Sequence, residues 1–316
     1  MTTRSITVVV ALAIASVAAL AGAQDDRRVR IVLLGTGTPN ATPDRMGPAT
    51  AIVVGDTPYL IDVGTGIVRR AAEADARGVR ALRVSNLKHV FVTHLHSDHT
   101  IGYPDLILTP WVLERDTPLQ AYGPPGLRAM TEHVLAAYRE DIDVRLHGLE
   151  PINADGYKVD AREVEPGVVF KDAQVTVEAF AVPHGSWKAA YGYKFTTPGG
   201  VVVVSGDTGP FEGLAAIARG ADALIHEAYA TEGWKKREPE WQRYHAAFHT
   251  SGAKVGETAT RAGVATVILT HQLTWSATPD QLVEEVKSTF SGRVIYGKDL
   301  DVFDLAEIRK RRSEAR

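Results

Sequence analysis

The sequence contains no cysteine among its 316 residues. This absence excludes disulfide bonds, a cysteine nucleophile and metal sites built from thiolates. A transition-metal ion would have to be held by histidine nitrogens and carboxylate oxygens. Such ligands suit a hydrolytic site better than a closed structural zinc site.

The sequence also lacks an excess of positive charge. Its 35 lysines and arginines are outnumbered by 38 aspartates and glutamates, and the formal net charge is −3. A surface that binds a nucleic-acid backbone is usually rich in lysine and arginine. The bulk charge therefore does not favour a large nucleic acid as partner.

A hydrophobic run long enough to span a bilayer is absent as well. The apolar stretch at residues 6–20 is shorter than the roughly 20 residues of a membrane-spanning helix. It follows Arg4 and precedes the small residues 21–23, as in a secretion signal with its cleavage site. We expect residues 1–23 to be removed, leaving a periplasmic or secreted protein without a membrane anchor. An uncleaved anchor is the alternative.

Strand-like and helix-like segments alternate through the rest of the chain. Apolar runs such as RIVLLG and VVVVSG end in glycine-rich turns, and GIVRRAAEADARG has helical spacing. The alternation predicts the α/β class, with helices covering the sheets. We expect one domain over residues 24–305, mostly helical between 101 and 150, and a basic solvated tail over 306–316.

The segment THLHSDHT, residues 93–100, places three histidines and an aspartate within six positions. His94 and His96 are two apart in an extended segment, so their side chains point to the same side and can chelate one ion. Asp98 and His99 follow where the chain must turn, and they can face a second ion. Two nitrogens alone hold zinc weakly, because a catalytic zinc usually has three protein ligands and a water.

Further ligands are expected at the ends of three other strands. His184, Asp207 and His271 each come shortly after an apolar, largely β-branched run. Residues in such positions gather at one rim of a sheet. A single histidine there is more often structural, but together with THLHSDHT the three residues indicate a metal site.

The pattern H-x-H-x-D-H resembles the signature of the metallo-β-lactamase superfamily. The segments LGTGTP, LIDVGTG, SGDTGP, HEA and HT resemble its ribonuclease Z-like branch, which includes arylsulfatase-like enzymes. The resemblance spans roughly residues 29–300. It implies a single-domain, four-layered αββα sandwich with two zinc ions at one edge, manganese or iron being possible.

The resemblance also implies roles for particular residues. Seven are implied metal ligands: His94, His96 and His184 for one ion, Asp98, His99 and His271 for the other, and Asp207 between them. A hydroxide bridging the ions would be the nucleophile. Asp98 would accept a proton from water, and His249, oriented by Glu227, would give one to the leaving oxygen. Packing or helix capping is the alternative role for His249, and Asp62 is expected to orient a ligand.

The sequence departs from the tRNA-processing members of this branch. They usually carry a long basic, glycine-rich arm between the residues that correspond to His184 and Asp207, whereas here residues 185–206 fit only two strands and a turn. The predicted secretion signal would also separate the protein from tRNA. We therefore expect an exported hydrolase of small phosphate or sulfate esters, with no nucleic-acid partner. A homodimer, common in this branch, stays open.

Other functions stay open at this point. The same site could hydrolyse a lactone or a β-lactam, process the 3′ end of tRNA, or bind metal without catalysis. Four aromatic residues of segments 101–122 and 231–248 are expected either to shape the mouth of a pocket or to pack loops onto the protein: Trp111, Trp234, Trp241 and Tyr244.

Overall fold

The computed structural model describes residues 28–314, so the predicted secretion signal lies outside the described residues. This part of the chain forms 14 strands and 11 α-helices, with short 3-10 helices at Arg80–Leu82 and Val84–Asn86. None of the helices in residues 28–314 is both long and apolar enough to cross a membrane.

The first sheet has seven strands. They are β1 (Val29–Gly35), β2 (Ala49–Val54), β3 (Thr57–Ile61), β4 (His89–Phe91), β5 (Leu119–Gly123), β6 (Val159–Glu163) and β14 (Val302–Asp304). Their spatial order is β14-β1-β2-β3-β4-β5-β6. Strands β3 to β6 pair in parallel, and the other pairs are antiparallel.

The second sheet repeats this plan. Its strands are β7 (Gly167–Lys171), β8 (Thr176–Ala181), β9 (Tyr191–Thr197), β10 (Gly200–Val204), β11 (Ala223–Tyr229), β12 (Thr266–Leu273) and β13 (Arg293–Tyr296). The order is β13-β12-β11-β10-β9-β8-β7. Strands β10 to β13 pair in parallel, and β7 to β10 are antiparallel.

The helices lie between the strands in sequence. They are α1 (Ile67–Ala76), α2 (Ser97–Thr100), α3 (Tyr103–Val112), α4 (Leu127–Ala137), α5 (Arg139–His147), α6 (Gly213–Ile217), α7 (Thr231–Trp234), α8 (Pro239–Phe248), α9 (Gly252–Ala262), α10 (Pro279–Lys287) and α11 (Leu305–Glu314). Side-chain caps define two of their starts. Ser251 accepts the N–H of Lys254 before α9, and Thr278 with Gln281 forms a capping box before α10.

Alternation along the strands divides the apolar residues into layers. In β1, Ile31 and Leu33 pack in the core between the two sheets, whereas Val32 and Leu34 pack in a core on the outer face of the first sheet. A third core covers the outer face of the second sheet. This confirms the predicted four-layered αββα sandwich.

The structure differs from the sequence expectation at two places. Residues 101–150 contain the buried strand β5, which is only five residues long and follows Pro118 too closely for periodicity to reveal it. The chain end is helical, because helix α11 begins at Leu305 and continues to Glu314. Leu305 and Ile308 are buried there, because their spacing puts both on the face that packs into the core between the sheets.

The two sheets are also tied together beside the end of β4. The hydroxyl of Tyr193 donates to the carbonyl of Val92 at 2.8 Å, and the N–H of Tyr191 donates to the carbonyl of Thr93 at 2.9 Å. The parallel strands of both sheets end at this same edge. In open parallel sheets, such carboxyl ends are where ligands bind.

A buried cation holds part of the first sheet to its helices. The Arg115 guanidinium donates five hydrogen bonds to the carbonyl oxygens of Leu87, Leu106, Ile107 and Gly156. Burial lowers the pKa of Arg115 to about 10, so the side chain is still charged at neutral pH.

We expect Arg115→Met to lower the free energy of unfolding by about 3 kcal/mol, because four buried carbonyl groups lose their donor. Urea denaturation followed by circular dichroism measures the change. Arg139→Met, at an exposed position, is the control and should change stability by less than about 0.5 kcal/mol. An Arg115→Met protein as stable as the wild type would contradict this role.

Candidate metal centre

Three histidine side chains converge beyond the end of β4. Nδ1 of His96 lies 2.9 Å from Nε2 of His94 and 3.1 Å from Nε2 of His184. The far nitrogens of two of the rings have other partners, since His94 Nδ1 lies 2.9 Å from Thr93 Oγ1 and His184 Nδ1 donates to the Phe248 carbonyl at 2.8 Å. Both Nε2 atoms are therefore left to face the centre of the cluster.

Burial keeps these rings neutral. It lowers the pKa of His96 and of His184 to about 4, and that of His94 well below its usual range. Neutral imidazoles offer the lone pairs that a metal ion requires. The three nitrogens therefore suit one divalent cation.

Trp187 is a neighbour of this cluster that the sequence did not reveal. Its indole N–H donates to Nε2 of His96 at 2.8 Å. With Nε2 accepting from the indole, the proton of a neutral His96 is on Nδ1. A cation held by Nδ1 requires the other tautomer, with the proton on Nε2 and the hydrogen bond from the indole given up.

A second cluster contains Asp98, His99 and His271. Oδ2 of Asp98 lies 3.2 Å from Nε2 of His271 and 3.5 Å from Nε2 of His99. Nε2 of His99 is buried and makes no hydrogen bond within the described part of the chain. A buried ring nitrogen in that state is expected of a metal ligand seen without its ion.

Asp207 lies between the two clusters. Its Oδ2 is 3.3 Å from Nε2 of His99 and 3.4 Å from Nε2 of His271, and its carboxylate is also within 4.8 Å of a ring nitrogen of His94. Burial alone would raise the pKa of Asp207, but the neighbouring His271 and His99 outweigh it and hold that pKa well below its usual range. The structure thus brings all seven predicted ligands together, in groups that could hold metal ions.

Asp62 holds His99 in place, as the sequence suggested. Its carboxylate accepts the Thr93 N–H at 2.7 Å and the Thr93 hydroxyl at 2.9 Å, and it lies 2.8 Å from Nδ1 of His99. Burial lowers the pKa of His99, but the carboxylates of Asp207 and Asp62 raise it by more, so it lies well above its usual range. With Nδ1 occupied, Nε2 points into the second cluster.

Local backbone strain also serves the site. Asp62 has φ +60° and His271 has φ +45°, a region that side chains other than glycine seldom adopt. Along β11 and β12 the pairing shifts from Glu227↔Thr270 to Ala228↔Gln272, which leaves His271 as the extra residue of a bulge. Bulges redirect side chains next to functional sites, and here the bulge aims His271 at Asp98.

His249 and Glu227 lie directly beside the clusters. His249 follows the last residue of α8, its ring stacks on that of His271 at 5.5 Å, and its Nδ1 is 3.3 Å from Oε2 of Glu227. The other oxygen of Glu227 accepts the N–H of Thr250 at 2.7 Å. Burial lowers the pKa of His249 to about 4 and raises that of Glu227 well above its usual range. These opposite shifts favour a proton on the carboxyl group over one on the ring.

The loop at residues 38–47 and helix α8 lie beside the site. On one side, the loop at residues 38–47 lines a cavity of about 420 Å³ that reaches Asp98. On the other side, Phe248 of α8 places its ring 4.9 Å from that of His184. Gly185 permits this approach, since a Cβ there would lie 1.9 Å from the Phe248 ring.

Of the four aromatic residues that were expected to shape a pocket mouth or to pack loops, two pack inside the protein and two lie on α8. Trp111 is fully buried in the outer core of the first sheet and packs on Tyr157, far from any pocket mouth. Trp234 packs its own loop, with its indole N–H on the Gln242 carbonyl. Trp241 and Tyr244 lie on the same helix as Phe248. The spacing in WQRYHAAF was the signal that could have placed them on one face.

We expect Asp62→Asn to weaken metal binding by the cluster roughly 10- to 100-fold, because His99 loses the acceptor that sets its tautomer and orientation. Competition with a chromogenic chelator measures the affinity. Asp56→Asn, an exposed position, makes the same chemical change away from the site and should leave affinity unaltered. Wild-type affinity in Asp62→Asn, with an unchanged circular dichroism spectrum, would rule out this role.

Comparison with known proteins agrees with this geometry. Residues 57–272 match the family described as "Beta-lactamase superfamily domain". The chain is 32% identical over 277 residues to "Ribonuclease Z" of Mycobacterium bovis (strain BCG / Pasteur 1173P2), a match that covers 86% of this chain and 96% of that protein. It is 34% identical to "Ribonuclease Z" of Mycobacterium avium (strain 104), with the same coverage of both chains.

The fold is also similar to solved structures. The short form of human tRNase Z superposes with a TM-score of 0.66 at 20% identity, over 87% of this chain and 99% of that chain. Structural similarity at 20% sequence identity shows only that the two folds are alike. Together with the matches in sequence and the converging ligands, it shows that the chain belongs to the metallo-β-lactamase superfamily, as a ribonuclease Z-like, metal-dependent hydrolase.

Proposed function

We propose that this protein is a metal-dependent endoribonuclease that cleaves a phosphodiester bond at the 3′ side of tRNA precursors. The observation that carries the proposal is the match to proteins named Ribonuclease Z over 96% of their length. The complete set of seven candidate ligands supports it, because such a match would mean little for catalysis if the ligands were missing.

The expectation of a hydrolase of small phosphate or sulfate esters, without a nucleic-acid partner, is wrong. It depended largely on the shortness of residues 185–206, which form little more than the β9–β10 hairpin. The Mycobacterium bovis protein and this chain match almost end to end over 277 positions. That leaves no room for a long arm present in one and absent from the other. The net charge was also a poor guide to the partner, because an RNA backbone is positioned by the local charge of a surface and not by the total charge of the protein.

We propose that two divalent cations, zinc first among them, occupy the two clusters, with Asp207 between them. The first cluster offers three neutral ring nitrogens, and the second offers two ring nitrogens and the Asp98 carboxylate. Nitrogen and oxygen donors of this kind also accept manganese or iron. When bound, two such ions lower the pKa of a shared water and polarise the phosphoryl group.

Asp98 is placed to accept a proton from the attacking water. Its side chain is 12% exposed and lines the cavity beside the loop at residues 38–47. Burial would raise the pKa of Asp98, but the hydrogen bond from His271 and the neighbouring His99 outweigh it, so the pKa is lowered. The group is therefore a carboxylate at neutral pH.

His249 and Glu227 together can supply the proton that the leaving ribose oxygen requires. The carboxyl group of Glu227 gives its proton to Nδ1 of His249, while Nε2 of the same ring gives a proton to the leaving oxygen. Glu227 ends as a carboxylate and the ring ends neutral. The opposite pKa shifts of the two groups favour this division of roles.

Incubation of the zinc- or manganese-loaded protein with a tRNA precursor that carries a 3′ trailer tests the proposal. We expect one cut that releases the trailer, seen on a denaturing gel. Addition of a chelator, or the Asp207→Ala variant, should abolish the cut. Turnover of bis-p-nitrophenyl phosphate without cleavage of any tRNA precursor would refute the assignment to tRNA while leaving a phosphodiesterase.

We expect His249→Ala to slow RNA cleavage roughly 100-fold or more, because an alkoxide leaving group needs a proton. Hydrolysis of bis-p-nitrophenyl phosphate should fall far less, since p-nitrophenolate leaves without one. Initial rates on both substrates make the comparison, and Glu227→Gln should show the same bias. Equal losses on the two substrates would remove His249 from the proton pathway.

The secretion signal over residues 1–23 and the periplasmic or secreted location stay predictions from the sequence, as does a homodimer. Where the enzyme is located decides which RNA it meets.

A further inference from the structure

One face of α8 carries aromatic rings from its solvent-exposed start to the metal centre. Trp241, Tyr244, His245 and Phe248 recur at helical spacing, so their side chains share one side of the helix. We call these four residues the aromatic stripe. A stripe of this kind often packs into a core, and its exposure decides whether it does so here.

The rings of the stripe form a continuous path. Trp241 meets Tyr244 edge to face at 5.6 Å, Tyr244 stacks on Phe248 at 4.2 Å, and Phe248 contacts His184 at 4.9 Å. At the outer end, Trp241 is 48% exposed. The stripe therefore leads from an exposed ring to a ligand of the first cluster, with Tyr244 and Phe248 half-buried and His245 buried along it.

Tyr244 is half-buried near the first cluster, because its ring stacks on Phe248, which in turn contacts His184. Burial raises the pKa of its hydroxyl, and the carboxylates of Asp207 and Asp98 raise it further. Phe248 lies behind the Tyr244 ring, so Tyr244 and Trp241 present the accessible ring surfaces.

A cation lies against the outer end of the stripe. The Arg237 guanidinium is 5.6 Å from the ring of Trp241 and 5.6 Å from that of Trp275. Arg237 takes part in none of the ion pairs formed within residues 28–314, and its Nε is buried without a hydrogen-bond partner. A cation held by aromatic rings and not neutralised by an acid is well placed to attract a phosphate group.

We propose that the aromatic stripe and Arg237 bind the unpaired RNA strand next to the scissile bond. Bases stack on Trp241 and Tyr244, and Arg237 faces the phosphate backbone. Single-stranded RNA is held in this way by aromatic rings beside positive charge, whereas a duplex hides the faces of its bases. This inference rests on the proposed ribonuclease function. The proposed surface would allow the chain to bind RNA without a long arm between β9 and β10.

Variants of the two accessible rings test the proposal. The holoenzyme is titrated with a fluorescein-labelled, eight-nucleotide single-stranded RNA, binding is followed by anisotropy, and the RNA is checked for integrity afterwards. Trp241→Ala and Tyr244→Ala should each weaken binding roughly tenfold, which is within the usual effect of removing one aromatic ring that stacks on a base. Trp241→Phe and Tyr244→Phe retain a ring and should stay within about threefold of the wild type.

Two controls separate stacking from general effects. Tyr138→Ala removes an aromatic side chain of similar exposure, 42%, from the residue between α4 and α5, and should bind the RNA like the wild type. A blunt RNA duplex of the same sequence should bind the wild type more weakly than the single strand. Alanine variants with wild-type affinity, phenylalanine variants as weak as the alanine variants, or a duplex that binds as tightly as the single strand would each overturn the proposal.

Failure of this proposal can also be distinguished from failure of the proposed function. If the wild type cleaves a tRNA precursor but the alanine variants keep full affinity for single-stranded RNA, the stacking surface is wrong and the ribonuclease assignment stands. If no precursor is cleaved but the alanine variants lose affinity, the surface is right and the assignment to tRNA is wrong.

Discussion

Five histidine side chains and two carboxylates are packed against one another at the edge of this sandwich, and the rest of the structure is arranged to keep them there. Removing so many polar groups from water is costly unless each has a partner. Here the ring nitrogens that point away from the centre are held by Thr93, Asp62 and the Phe248 carbonyl. The ring nitrogens and carboxylate oxygens that point inward lie within 4.8 Å of one another in each group, an arrangement that a bound cation stabilises.

The two-sheet architecture makes this meeting of ligands possible. The HxHxDH segment leaves the first sheet, whereas Asp207 and His271 leave the second, so the two sheets must be in register at this edge. Tyr193 and Tyr191 supply that register by hydrogen bonds to the carbonyls at the end of β4. The strained backbone at His271 persists because β11 pairs with the residues before and after it, Thr270 and Gln272.

The surface that would contact a substrate differs from the metal-binding part of the site in its exposure to solvent. The ligands are buried and closely spaced, while the loop at residues 38–47 and helix α8 border an open cleft. The exposed Trp241 on α8 and Arg237, two residues before that helix, are the basis of the proposed RNA contact in a chain of negative net charge. A local arrangement of rings and one cation can outweigh the bulk charge, because stacking and phosphate contacts act over a few ångströms.

Much of the fold and of the metal centre could be read from the sequence. The alternation of apolar runs predicted the layers, and the tight spacing in HLHSDH, with three further residues at strand ends, predicted the ligands, since both depend on local periodicity and on where strands stop. Only the tertiary structure decided what the neighbours of those ligands are. Trp187, the Phe248 carbonyl and the stripe on α8 reach the site from segments far apart in sequence, through packing that no local pattern records. The short strand β5 and the helix at residues 305–314 escaped for the same reason, because their burial comes from partners elsewhere in the chain.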